Sequence, residues 1–187
     1  YRSDAAEAKI KSMTLYTFDE SEEKAKLTLN YSSLTGLVKT STVFLYNTDY
    51  MLERSVTYKD NVTFAQANAL QLAQADGTAP FLNKNKSLSI YLGDEGEEKV
   101  QSTKAFRSDG VNLNTTTIFT YVLDVLHDSV TTKNKLGGGT YVSARSLYTG
   151  GENEEKILSV TATRSDGRAA ASGAMAGRCR CFRSCGW

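Results

Sequence analysis

The chain has 187 residues and a mass of 20.4 kDa, enough for one domain or two small ones with a real core. Twenty-two Lys+Arg stand against 21 Asp+Glu, a net charge of +1, so there is no basic footprint of the kind that nucleic acid demands. One His and three Cys, all three Cys in the last nine residues, argue against a multi-His metal site or a His-rich catalytic centre. No run approaches the roughly 18 apolar residues of a spanning helix.

In chain order, the stretch 8–18 (AKIKSMTLYTF) is rich in β-branched and aromatic residues and reads as a strand. After the acidic turn DESEE comes KAKLTLNY. There Ala25, Leu27, Leu29 and Tyr31 alternate with Lys24, Lys26, Thr28 and Asn30, which predicts a strand with one wet face. Strands are expected likewise at 41–47, 54–59, 87–92, 99–106, 115–126, 139–148 and 156–163. Gly, Asn, Asp and Ser turns separate them. One stretch breaks the period: 61–77 is rich in helix formers and nearly free of β-branched residues after Thr63. It predicts a helix at about 64–75, capped by Asn61 or Thr63 and stopped at Gly77. Ala65, Ala69 and Leu72 form its small apolar face, so the helix is expected to lie across a sheet and not to build the core. Nine strands and one helix give an all-β fold, an antiparallel sandwich or barrel.

The most specific signal is an internal repeat. Residues 97–110 (EEKVQSTKAFRSDG) and 154–167 (EEKILSVTATRSDG) are identical at nine of fourteen positions without a gap. Upstream, Tyr91, Gly93 and Glu95 match Tyr148, Gly150 and Glu152. Arg2-Ser3-Asp4 repeats Arg107-Ser108-Asp109, which sets SMTLYTFD against TIFTYVLD. The expected organisation is therefore a first β unit over 1–106 with a helical insertion and a second β unit over 107–167. R-S-D-G reads as a strand end and a tight turn, in which Asp bonds nearby backbone and Gly takes a positive φ. The acidic tips DESEEK, GDEGEEK and GENEEK read as solvated hairpin turns that keep edges from sticking.

Residues 168–187 hold five Ala, four Arg and all three Cys, with no acid, against a Thr-, Ser-, Asn- and Tyr-rich body without Cys. This abrupt shift suggests a segment of different origin, such as a cloning scar or read-through. The first residue is Tyr1, which suggests a processed product or a fragment. Cys179, Cys181 and Cys185 offer three thiolates at a spacing that matches no common zinc site.

His127 lies between Asp124, Asp128 and Ser129, an acid–His–Ser grouping. Triads are assembled from separate elements, and these residues are adjacent on one strand and its exit. No nucleophile elbow and no phosphate-binding glycine motif is present. The reading therefore assigns no catalytic, cofactor-binding or metal-binding residue, expects no cofactor, and classes the protein as non-enzymatic. The segments IKSMTLYTFD and TVFLYNTD resemble the N-terminal strands of Bacteroidetes fimbrillin-type pilins, and the resemblance goes no further downstream. The expected function is a structural subunit of a virion (tail tube, capsid or fibre) or of a bacterial surface filament, with copies of itself as partners. The alternative is an extracellular adhesion or carbohydrate-binding module with a host-surface or glycan partner. Either places the protein outside the cell, on its surface or in a virion.

Overall fold

The computed structural model describes residues 10–17, 23–75, 84–152, 154–166 and 169–174, with backbone alone for 74–75 and 169–174. The fold is all-β with one helix. Strands β1 (Ser12–Thr17), β2 (Lys24–Tyr31), β3 (Val38–Tyr46) and β4 (Leu52–Tyr58) precede helix α1 (Phe64–Ala75). Then come β5 (Asn85–Leu92), β6 (Lys99–Phe106), β7 (Leu113–Val122), β8 (Val125–Asn134), β9 (Thr140–Thr149), β10 (Lys156–Thr163) and β11 (Ala169–Ala174). The chain forms two compact units, Tyr1–Thr117 and Ile118–Trp187, so the division falls inside β7.

In the first unit, β1 to β6 pair in sequence order, every pair antiparallel. This is an antiparallel meander with a helix on one face, as the all-β expectation required, and among the described residues its strands follow one linear order. The core lies between sheet and helix. Leu27, Val43, Val56 and Leu88 stand side by side across four strands, and Val62, Ala67 and Leu70 close over them. The helix face that packs is thus Ala67 and Leu70, and not Ala65, Ala69 and Leu72; Leu72 is 69% exposed. α1 begins with a capping box: Gln66 N–H donates to Thr63 Oγ1 at 3.3 Å, and Thr63 N–H donates to Gln66 Oε1 at 2.9 Å. Ser41 anchors the approach, donating to Asp60 O at 2.7 Å and accepting from Val62 N–H at 3.0 Å.

Each of these strand pairs carries one bulge, and the extra residues are Lys26, Lys39, Glu53, Lys86 and Gln101. A bulge breaks the period-two alternation. That is why Lys26, expected on the wet face with Lys24, is buried at 3% exposure beneath α1.

In the second unit, β8 to β11 again pair antiparallel in sequence order. The stretch 115–126, expected as one strand, is a hairpin: β7 and β8 turn through Leu123 and Asp124, at φ 49° and 64°. Positive φ at both central residues is the two-residue turn that fits sheet twist, here without the usual Gly or Asn. The tail also contributes, since Ala169–Ala174 pairs with β10. Its cysteines lie outside the described residues.

The repeat has the same geometry in both units. β5–β6 and β9–β10 share one register, including the bulge at Gln101 and Leu158. Gly93 and Gly150 take φ 127° and 131°. A Cβ there would sit 2.7 Å from Glu97 O and 2.5 Å from Glu154 O. Glu98 accepts from Leu52 N–H at 2.9 Å, and Glu155 accepts from Leu126 N–H at 3.2 Å. Ser55 bonds the Tyr91 hydroxyl at 3.1 Å, and Ser129 bonds that of Tyr148 at 3.2 Å. These contacts set LERSVTYK (52–59) of β4 against LHDSVTTK (126–133) of β8, so by strand order β3, and not β1, is the counterpart of β7. Where the first unit inserts α1, the second turns through 135–139, and it has no fully buried apolar side chain among the described residues.

Candidate functional site

The residues singled out by sequence do not converge. His127 is exposed on β8. Neighbours on a strand point to opposite faces, so Asp128 faces away from His127 and Ser129. The Asp128 carboxylate accepts from Arg145 Nη2 at 2.6 Å, and Ser129 is engaged with Tyr148. Hydrogen bonds from Arg145, then from Thr120, hold Asp128 below the ordinary carboxylate range. A carboxylate held by an arginine on the opposite face orients no imidazole.

The acidic tip of the β5–β6 hairpin is a structural joint. Glu95 pairs with Lys24, whose ammonium also donates to Tyr50 O at 2.6 Å and stands over the rings of Tyr46 and Tyr50 at 5.6 and 5.9 Å. No group of three or more His, Cys, Asp or Glu among the described residues is placed to hold a metal. In the R-S-D-G turn, Asp109 accepts from Val111 and Asn112 N–H, each at 2.9 Å, and from Asn112 Nδ2 at 2.8 Å. The Asn112 side chain first, then the two backbone donors, bring its carboxyl down to about 2.

Two features went unread in the sequence. One is buried polar chemistry under α1. Lys26 Nζ donates to Gln71 Oε1 at 3.0 Å, and Tyr46 N–H donates to the same oxygen at 2.9 Å. Gln71 Nε2 donates back to Tyr46 O. Burial lowers the Lys26 ammonium to about 8 and, aided by Glu98 and Tyr91, raises the Tyr46 phenol to about 12. Lys26 is 3% exposed, so its ionisation weighs on the stability of the fold.

The other is a surface. The sheet face away from α1 carries Thr14, Thr28, Thr42, Thr57 and Ser87 in one row, each directly opposite the next across five strands. Phe44, Ser55, Ser89 and Thr103 form the row beside it. Thr14–Thr28 and Thr42–Thr57 share hydroxyl bonds at 3.0 Å, and Ser89–Thr103 at 3.1 Å. Neither row contains a charged side chain. The signal for it was the T-x-T and S-x-S alternation in β3 and β5, which the register alone assembles into rows. The first row ends at Thr14 on β1, whose outer edge has no strand beside it among the described residues.

No family model and no curated protein matches the chain. A solved structure of a protein of unknown function from Bacteroides fragilis is similar over 68% of this chain and 86% of its own, at 12% identity and a TM-score of 0.35. A score of that size carries no conclusion about fold or function.

Proposed function

We propose that this is a non-enzymatic structural subunit that assembles with copies of itself, in a virion (tail tube, capsid or fibre) or in a bacterial surface filament. The observation that carries the reading is the β1 edge of an antiparallel meander, an uncharged strand with no further strand beside it among the described residues. Sheet edges of this kind pair with further strands, and proteins that stay monomeric usually blunt them with charge, proline or a covering loop. Exposed apolar side chains in the second unit, including Ile157 at 47% and Leu158 at 50%, add adhesive surface. Such a subunit works outside the cell, on its surface or in a virion. Light scattering with electron microscopy of the 187-residue chain tests this: concentration-dependent oligomers or filaments are expected, and a monomer at every concentration refutes it.

The hydroxyl rows support a second reading, an extracellular adhesion or carbohydrate-binding module. Paired hydroxyls without charge both donate to and accept from a neutral sugar, and Phe44 and Tyr91 lie among them. Saturable binding to a glycan array by a monomer favours this reading over assembly.

A further inference from the structure

We propose that two copies join edge to edge through β1, antiparallel, about a two-fold axis at Thr14, merging their sheets into one. The proposal rests on the self-assembly reading above and names the surface.

The backbone sets the register. Alternate residues of an antiparallel strand exchange bonds with one neighbour and direct the others outward. Tyr31 N–H donates to Lys11 O at 2.9 Å, so Lys11, Met13 and Leu15 bond inward to β2. Ser12, Thr14 and Tyr16 therefore turn their N–H and C=O groups to the outer edge. A second β1 placed antiparallel about Thr14 sets Thr14 against its own copy and Ser12 against Tyr16 of the other. All the outward groups of the strand are then paired.

The faces match as well. A two-fold axis normal to the sheet keeps each face on its own side. The hydroxyl row from Ser87 through Thr57, Thr42 and Thr28 to Thr14 then continues into the partner copy's Thr14 without interruption. On the other face, half-exposed Met13 meets Leu15 of the second copy, extending the apolar side that Leu15 already joins.

Charge selects the orientation. Ser12–Thr17 carries no charge, and Lys11 stands at its entry. About a two-fold axis at Thr14 each Lys11 falls opposite Thr17 of the other copy, whereas a parallel copy in register would bring the two Lys11 cations together. Self-complementarity of this kind fits a second copy of the same chain, joined isologously.

Proline at an outward-bonding position removes an edge donor without touching the bonds to β2. Thr14→Pro is therefore expected to reduce a dimer of twice 20.4 kDa to a 20.4 kDa monomer in light scattering, with unchanged β circular dichroism. Thr14→Lys, which sets two cations together on the axis, gives the same result if Thr14→Pro fails to fold. With Cys179, Cys181 and Cys185 replaced by Ser, Thr14→Cys is expected to cross-link under mild oxidation; directly opposed bonded residues lie about 5.5 Å apart between Cα atoms, within disulfide range. Leu34→Cys, in a turn and 89% exposed, stays uncrosslinked. If Thr14→Pro and Thr14→Lys both keep the oligomer, the β1 interface is wrong while self-assembly stands. If the unmodified chain is monomeric at every concentration, both fall.

Discussion

Lys26 is the sharpest test of the packing under α1. Its ammonium, 3% exposed, is lowered from 10.5 to about 8 by burial alone. The fall from 10.5 to about 8 corresponds to ~3 kcal/mol against the folded state wherever the lysine is charged. The sign follows from linkage. Below pH 8 both states hold the proton and the whole penalty is present; between 8 and 10.5 the unfolded chain holds more protons, so stability rises with pH. Lys26→Met keeps the length of the side chain and removes the charge. Gln71 loses one donor to its oxygen but keeps Tyr46 on both sides of its amide. Setting that bond at ~1 kcal/mol against the ~3 kcal/mol penalty, the variant gains about 2 kcal/mol at pH 7. Urea unfolding followed by circular dichroism at pH 7.5–9.5 checks this. The window stops short of 10 because Tyr46, raised to about 12, begins to reduce stability once unfolded tyrosines ionise. The expected result is a pH-dependent wild type and a flat, more stable variant. A variant that loses more than about 1 kcal/mol, or keeps the wild-type slope, refutes the argument.

The repeat makes a paired prediction: Gly93→Ala and Gly150→Ala should each cost about 2 kcal/mol or more, because a Cβ at φ 127° or 131° meets a carbonyl oxygen below 3 Å. Equal midpoint shifts in urea support the shared hairpin geometry, and a neutral result at either site contradicts it. Leu123 is 92% exposed at φ 49°, so Leu123→Gly should stabilise by roughly 1 kcal/mol in thermal unfolding. Asp128 should titrate by NMR below its ordinary 3.8, and Arg145→Gln should raise it. A depressed carboxyl contributes stability that is present above 3.8 and lost as pH falls through its folded value, so the wild type should lose more than Arg145→Gln on acidification. Asp109, at about 2, should rise toward 3.8 in Asn112→Ala, which removes the side-chain amide that donates to it.

What the sequence determined by itself is local. Alternation and β-rich composition marked eight of the strands, the run from Phe64 to Ala75 had the composition of a helix, and Thr63 was one of its two cap candidates; the structure chose it and paired it with Gln66. The repeat marked one hairpin built twice: Gly93 and Gly150 take the same positive φ, and the carboxylates of Glu98 and Glu155 each accept from the backbone of the preceding strand, Leu52 in β4 and Leu126 in β8. The tertiary structure decided what depends on a neighbour. A bulge is a mismatch between two strands, so neither strand's residues announce it; that is how Lys26 came to lie under α1 instead of in water. Which helix face packs was settled by the sheet beneath it: α1 lies against β2 and β3, and Ala67 and Leu70 join the core that holds Leu27 and Val43. The hydroxyl rows and the open edge of β1 exist only once register brings Thr14, Thr28, Thr42 and Thr57 side by side, since pairing, and not composition, fixes which side chains share a face.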